Sequence, residues 1–174
     1  MSAAPLNHRL ISTTWGHLAI VAGPDGLVQL SLPHPTRRAA HADLRQSFPT
    51  STEAPNLLPD LADALRRYFL GQPVIFDTPL DCTGATEFTS DVWHACRQVP
   101  YGHTASYRDL ARRVGRPGAA RAVGTAMKHN RFPIIVPCHR IIATGGALGG
   151  YSGRGGTDFK RRLLALEAAA HSAL

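Results

Sequence analysis

At 174 residues, 44% of them hydrophobic, the chain can bury one sound core or two small ones, and no apolar run approaches the length of a membrane-spanning helix. Its net charge of +7 is unevenly placed: residues 1–84 hold six Lys/Arg against seven Asp/Glu, a net of −1, whereas residues 85–174 hold thirteen against five, a net of +8. A composition biased towards arginine does not create such asymmetry, and a strongly basic half is the electrostatic footprint of a polyanion binder.

Residues 9–32 alternate apolar and polar side chains around Gly16 and the Pro24-Asp25-Gly26 turn, which predicts a β-hairpin. Residues 36–47 carry a weak helical pattern. From Leu57 to Leu70, a helix would place Leu61, Leu65, Tyr68 and Phe69 on one face and stop at Gly71 and Pro73. Val74–Leu80 reads as a further strand. Residues 1–80 therefore form a small α/β domain without a chemical constellation, and a linker near Asp81–Gly84 leads into a mainly helical domain over 81–174.

In that second half, Thr86 caps a predicted helix to Val99, with Phe88, Val92, Trp93 and Cys96 facing inward, so Cys96 is a core filler. Pro100-Tyr101-Gly102 breaks it. Ser106 caps a helix over Tyr107–Val114 that ends at Gly115, and another runs from Gly118 to His129. Two short helices joined by Gly-Arg-Pro-Gly make a helix-turn-helix signature. An ordinary αα-hairpin has the same spacing, but the basic charge favours DNA binding. Ala119, Ala120, Ala122, Gly124 and Ala126 leave little bulk around Arg121, a surface that can lie close to a nucleic acid backbone or to another helix.

Residues 133–142 read Pro-Ile-Ile-Val-Pro-Cys-His-Arg-Ile-Ile. An apolar strand ending in Pro137 would deliver Cys138 at a rigid position. Beside it stand the imidazole of His139 and the cation of Arg140, the company that generates a thiolate. Three cysteines, Cys82, Cys96 and Cys138, without a Cys-x-x-Cys pair suit a reducing compartment rather than a disulfide framework or zinc finger. With no secretory signal in Met1–Pro5, a cytoplasmic location is expected, or a nuclear one in a eukaryote. No metal, flavin or nucleotide site is expected, and the glycine-rich stretch 145–156 lacks a phosphate-cradle pattern.

Pro-Cys-His-Arg, with Asn130 before it and Gly149-Gly150-Tyr151-Ser152-Gly153 after it, resembles the O6-alkylguanine-DNA alkyltransferase family. The resemblance extends through Phe88, Val92-Trp93, Pro100-Tyr101-Gly102, Ser106-Tyr107, Ala119–Gly124 and Leu163–Glu167. It covers about residues 80–170 with strong motifs and 10–80 with weak ones. It implies an α/β protein whose N-terminal domain is ribonuclease H-like and whose C-terminal domain flips O6-alkylguanine out of duplex DNA. Through the minor groove, Arg121 fills the gap in the base stack and Tyr107 rotates the nucleotide outward, with Ala120, Gly124 and Arg140 as further DNA contacts. Cys138 accepts the alkyl group, His139 takes its proton, Glu167 orients His139, and Asn130 braces the turn. Tyr107 and the Ser152 amide support the leaving base, and Tyr151, Ser152, Val136 and Pro133 wall its pocket. The resemblance further implies a monomer that needs no cofactor and acts once, with O4-alkylthymine as a second candidate substrate.

Three departures from the family pattern stand out. Thr89 replaces a common glutamine, the chain between Gly153 and Lys160 is about two residues longer, and Arg131-Phe132 replaces a Pro-aliphatic pair. Competing readings are a non-catalytic lesion binder of the alkyltransferase-like type, a helix-turn-helix regulator and a cysteine hydrolase. The first lacks the cysteine that this chain has, the second needs a regulatory domain, and the third usually separates nucleophile and base in sequence.

Overall fold

The N-terminal alternation folds into three antiparallel strands, β1 (Asn7–Thr13), β2 (Gly16–Gly23) and β3 (Gly26–Leu30), so the predicted hairpin is a meander with two tight turns. The first turn requires glycine: Gly16 has φ +125°, and a Cβ there would lie 2.4 Å from the His34 carbonyl oxygen. Helix α1 (Arg37–Ser47) starts where the Thr36 hydroxyl accepts the Ala39 N–H at 3.1 Å. Strand β4 (Thr52–Glu53) pairs parallel to β1, giving the order β3-β2-β1-β4, and helix α2 (Pro59–Phe69) follows. The five central residues of β2, Leu18 to Ala22, are all buried, because this sheet is covered on both faces. Ala19 and Val21 pack with Leu44 of α1.

Val74–Leu80 does not form the predicted strand. The segment has no regular structure and joins the sheet only at its end, where Leu27 N–H donates to Pro79 O at 2.9 Å and Asp81 N–H to Leu27 O at 2.8 Å. Pro73 and Pro79 lack the N–H groups a ladder needs, and Ile75 stands 87% exposed.

The computed structural model describes residues 5–149 and 155–171 and separates them into two units, Met1–Cys82 and Thr83–Leu174. In the second, helix α3 (Glu87–Arg97) is capped by Thr86, and strand β5 (Ala105–Ser106) leads into helix α4 (Tyr107–Arg113). Ser106 and Asp109 form a reciprocal capping box at that junction. Helix α5 (Ala120–Lys128) completes the helix-turn-helix, buries Val123, Ala126 and Met127, and is held to α3 by the Trp93 indole N–H donating to Ala126 O at 3.0 Å. A 3₁₀ turn (Cys138–Arg140) precedes strand β6 (Ile141–Ile142), which pairs parallel with β5, and helix α6 (Gly156–His171) follows.

The apolar run before Cys138 is buried, as expected, but it is a turn rather than a strand. Val136 N–H donates to Phe132 O at 2.8 Å, and Ile134 takes a left-handed φ of +75°. The Asn130 side chain holds both ends: its amide donates to Val136 O at 2.8 Å and its oxygen accepts the Phe132 N–H at 2.9 Å. A side chain thus satisfies the buried backbone that a ladder would otherwise have paired.

Candidate active site

The short β5/β6 pair fixes two neighbours: Tyr107 opens α4 directly after β5, and Cys138–Arg140 lead directly into β6. Cys138 is half-buried and lines a cleft of about 650 Å3 together with Tyr107, Ala120, Arg121 and Gly124. Arg108 and Lys128 add two more cations to its lining. Arg121 is exposed, while Ala120 and Gly124 keep the helix surface low beside it. Tyr107 is half-buried, and burial, reinforced by the charge of Cys138, raises its pKa, so the phenol stays protonated and able to donate. Gly149 comes close to that ring; its φ is +65° and a Cβ would lie 3.2 Å from the Tyr107 hydroxyl.

Behind the cysteine lies a buried ionic network. His139 Nε2 lies 2.7 Å from Glu167 Oε1, with both side chains at or near zero exposure. Arg140 donates through Nε to Glu167 Oε2 at 3.0 Å and through its second terminal nitrogen to Oε1 at 3.0 Å. Gly102 N–H donates to Oε2 at 3.0 Å, and Arg140 also donates to Val99 O at 2.6 Å. Burial opposes ionisation of Glu167, but its bonds to His139 and Arg140 outweigh that and hold the carboxyl at about 2. For His139, burial prevails over the Glu167 carboxylate and lowers the pKa. The arrangement is thus a neutral imidazole donating Nε2–H to an ionised carboxylate, which leaves Nδ1 the basic nitrogen.

Arg140 does not fit the DNA contact expected of it. Arg140 is 94% buried, and its guanidinium is committed to Glu167 and Val99, with the Tyr101 ring 5.6 Å away. It is a counter-ion of the network. Val136 and Pro133 do not line the cleft: Val136 is fully buried, and its part is the carbonyl that Asn130 holds. Tyr151 and Ser152 lie outside the described residues.

Lys160 was not singled out from sequence. On α6 it shares a face with Leu163 and Glu167, at i, i+3 and i+7, and all three are buried. Its ammonium donates to Ile141 O at 2.5 Å and lies 6.0 Å from the Tyr107 ring, with burial lowering its pKa. The available signal was a lysine at helical spacing on an otherwise inward-facing stripe. Among the described residues, no group of three or more His, Cys, Asp or Glu is placed to hold a metal, and no helix is long and apolar enough to cross a membrane.

A helix-turn-helix unit that places a cysteine in a cation-lined cleft, backed by a buried His–Glu pair, defines a class of DNA-directed proteins with a reactive thiol. Residues 87–169 match the family model described as 6-O-methylguanine DNA methyltransferase, DNA binding domain, and residues 6–82 match the ribonuclease-like domain of the same family. The chain belongs to the O6-alkylguanine-DNA alkyltransferase family. It is 48% identical over 116 residues to a methylated-DNA–protein-cysteine methyltransferase of Mycolicibacterium paratuberculosis, covering 67% of this chain and 68% of that one. It resembles the crystal structure of Mycobacterium tuberculosis O6-methylguanine methyltransferase with a TM-score of 0.76, 38% identity and coverage of 95% and 94% of the two chains. The crystal structure of Mycobacterium tuberculosis OGT in complex with DNA aligns with a TM-score of 0.76 at 40% identity, covering 94% of each chain.

Proposed function

We propose that this chain repairs O6-alkylguanine in duplex DNA by moving the alkyl group irreversibly to Cys138. The observation that carries the reading is the placement of Cys138 in the cation-lined cleft while the next residue, His139, is locked onto Glu167. The reaction is a substitution at the alkyl carbon. Neutral His139 takes the thiol proton, directly or through a water, and Glu167 stabilises the resulting imidazolium. The Cys138 sulfur forms a new S–C bond as the O6–C bond breaks. The bonding electrons leave with guanine, whose ring nitrogen takes the proton of the Tyr107 phenol, and the phenol is restored by the proton that His139 took from the thiol, passed on through water. In sum, thiol and O6-alkylguanine become thioether and guanine. A thioether is a poor leaving group, so each molecule acts once.

DNA handling falls to the helix-turn-helix. Arg121 is exposed on a helix with alanine and glycine around it, the shape of a wedge that enters the minor groove and holds the base stack open. Cations at Arg108 and Lys128 flank the extruded nucleotide. The test is intact mass after incubation with an O6-methylguanine duplex, followed by peptide mapping. A gain of one methylene equivalent on Cys138, abolished in Cys138→Ser, is expected. A label on Cys82 or Cys96 would overturn the assignment.

A further inference from the structure

Arg131 and Phe132, a departure from the family pattern, take no part in the chemistry above. Yet they sit where α5 runs into the turn that ends at Cys138. The related pattern has a proline and an aliphatic residue there. A proline stiffens a turn through its fixed φ. Arg131 brings no such restraint, so the stiffness of this turn has to come from side chains.

A stack on α3 supplies it. The Phe132 ring meets the Trp93 ring edge-on, with centroids 5.4 Å apart and planes at 90°, and both side chains are buried. The Arg131 guanidinium lies 5.5 Å from the Trp93 ring and 5.4 Å from the Phe132 ring, and it donates to Thr83 O at 3.1 Å, ahead of α3. Trp93 also holds the end of α5. There His129 N–H donates to Thr125 O and Asn130 N–H to Met127 O, and the carbonyl between them, Ala126 O, takes the indole N–H at 3.0 Å. One side chain thus grips both the last turn of α5 and the first residues of the Cys138 turn. Asn130 carries that grip on to Val136.

The same helix lines the cleft with Arg121 and Gly124, while Cys138 stands at the far end of the turn. A free base enters the cleft unattached and can settle against the sulfur. A nucleotide still joined to duplex cannot, because α5 holds the duplex. The distance from α5 to Cys138 then sets whether the alkyl carbon meets the sulfur. A misplacement of about 1 Å can cost about 100-fold in rate.

We infer that Trp93, Arg131 and Phe132 are positioning residues that clamp the Cys138 turn to α5 and so keep the sulfur in register with a nucleotide presented by duplex DNA. The inference rests on the proposed repair reaction. Its test compares Trp93→Phe, which loses the indole N–H, with Arg131→Ala, which loosens the stack, and Arg131→Pro, which restores stiffness through the backbone. Transfer to Cys138 is followed by quenched intact mass in the full chain, at saturating O6-methylguanine duplex and with free O6-benzylguanine, alongside duplex affinity by anisotropy and thermal unfolding. Trp93→Phe and Arg131→Ala should each slow duplex repair by about tenfold or more, with duplex affinity within about twofold and the free-base reaction within about threefold of native. Arg131→Pro should bring the duplex rate back to within about threefold. A merely structural role would slow both substrates alike. Equal slowing on both, no slowing on duplex, or an Arg131→Pro rate as low as that of Arg131→Ala overturns the inference. If Trp93→Phe fails to fold, the half-buried Arg131 pair of variants carries the same outcomes. Failure of the native protein to gain mass on Cys138 with either substrate would instead bring down the repair reading beneath it.

Discussion

Glu167 is the residue on which the site's electrostatics turn. One carboxylate serves a neutral imidazole, a buried guanidinium and a backbone amide. Glu167→Gln would keep the shape but leave Arg140 buried without its anion. Breaking a buried pair from one side costs about 3–5 kcal/mol, so chemical denaturation should show a loss of that order, together with slower alkyl transfer. A variant as stable as the native protein would mean that Arg140 finds another anion. His139 makes a separate, pH-resolved prediction. Its pKa is lowered by burial, so the basic form persists below the usual histidine range, and the acid limb of the rate profile should fall only below about pH 6.5. A transfer rate already half lost at pH 7 would contradict a buried neutral base.

At the level of elements, the site is a turn and a helix brought to a two-residue strand pair. The turn before Cys138 depends on Asn130. Asn130→Ala strands the Phe132 N–H and the Val136 carbonyl, at about 1–3 kcal/mol for each group left unsatisfied. Stability and transfer rate should fall together, and rescue by Asn130→Asp should be incomplete, because a carboxylate cannot donate to Val136 O. For α5, Arg121→Ala should slow repair of duplex far more than reaction with free O6-benzylguanine, by roughly 10- to 1000-fold, since unstacking costs a few kcal/mol. Equal slowing on both substrates would place Arg121 in the chemistry or the fold. The helices were legible because their signals are local: Thr86 and Ser106 caps, Gly115 beyond α4, apolar spacing along α2 and α3. The 133–137 turn was not, because apolar residues read alike in strands and buried turns, and the deciding partner is a side chain several residues upstream. Arg140 was misread for a related reason. Its part as a DNA contact is what the resemblance implies, and its commitment to Glu167 shows only once α6 brings that carboxylate, 27 residues on, against it.

For the molecule as a whole, two consequences of charge can be measured. Glu167 is held at about 2 in the fold against an ordinary value of 4.5, and His139 is also depressed, so both bind protons more readily in the unfolded chain. Their stabilisation is present at neutral pH. It starts to fall below about 6.5 for His139, and for Glu167 it is lost between about 4.5 and about 2. The second consequence concerns DNA. The excess positive charge resides in residues 85–174, and Arg108, Arg121 and Lys128 line the Cys138 cleft on its exposed side. If each neutralises one phosphate, the logarithm of duplex affinity should fall with the logarithm of salt at a slope near −2.7, or about 40-fold between 50 and 200 mM. Arg108→Ala should make that slope shallower by about 0.9. Arg38, exposed on α1 in the unit whose charge is nearly balanced, supplies the control, and Arg38→Ala should leave the slope unchanged. Salt titrations read by anisotropy decide the matter. An affinity indifferent to salt, or a slope that responds to Arg38 and not to Arg108, would mean that the basic half does not hold DNA through this face.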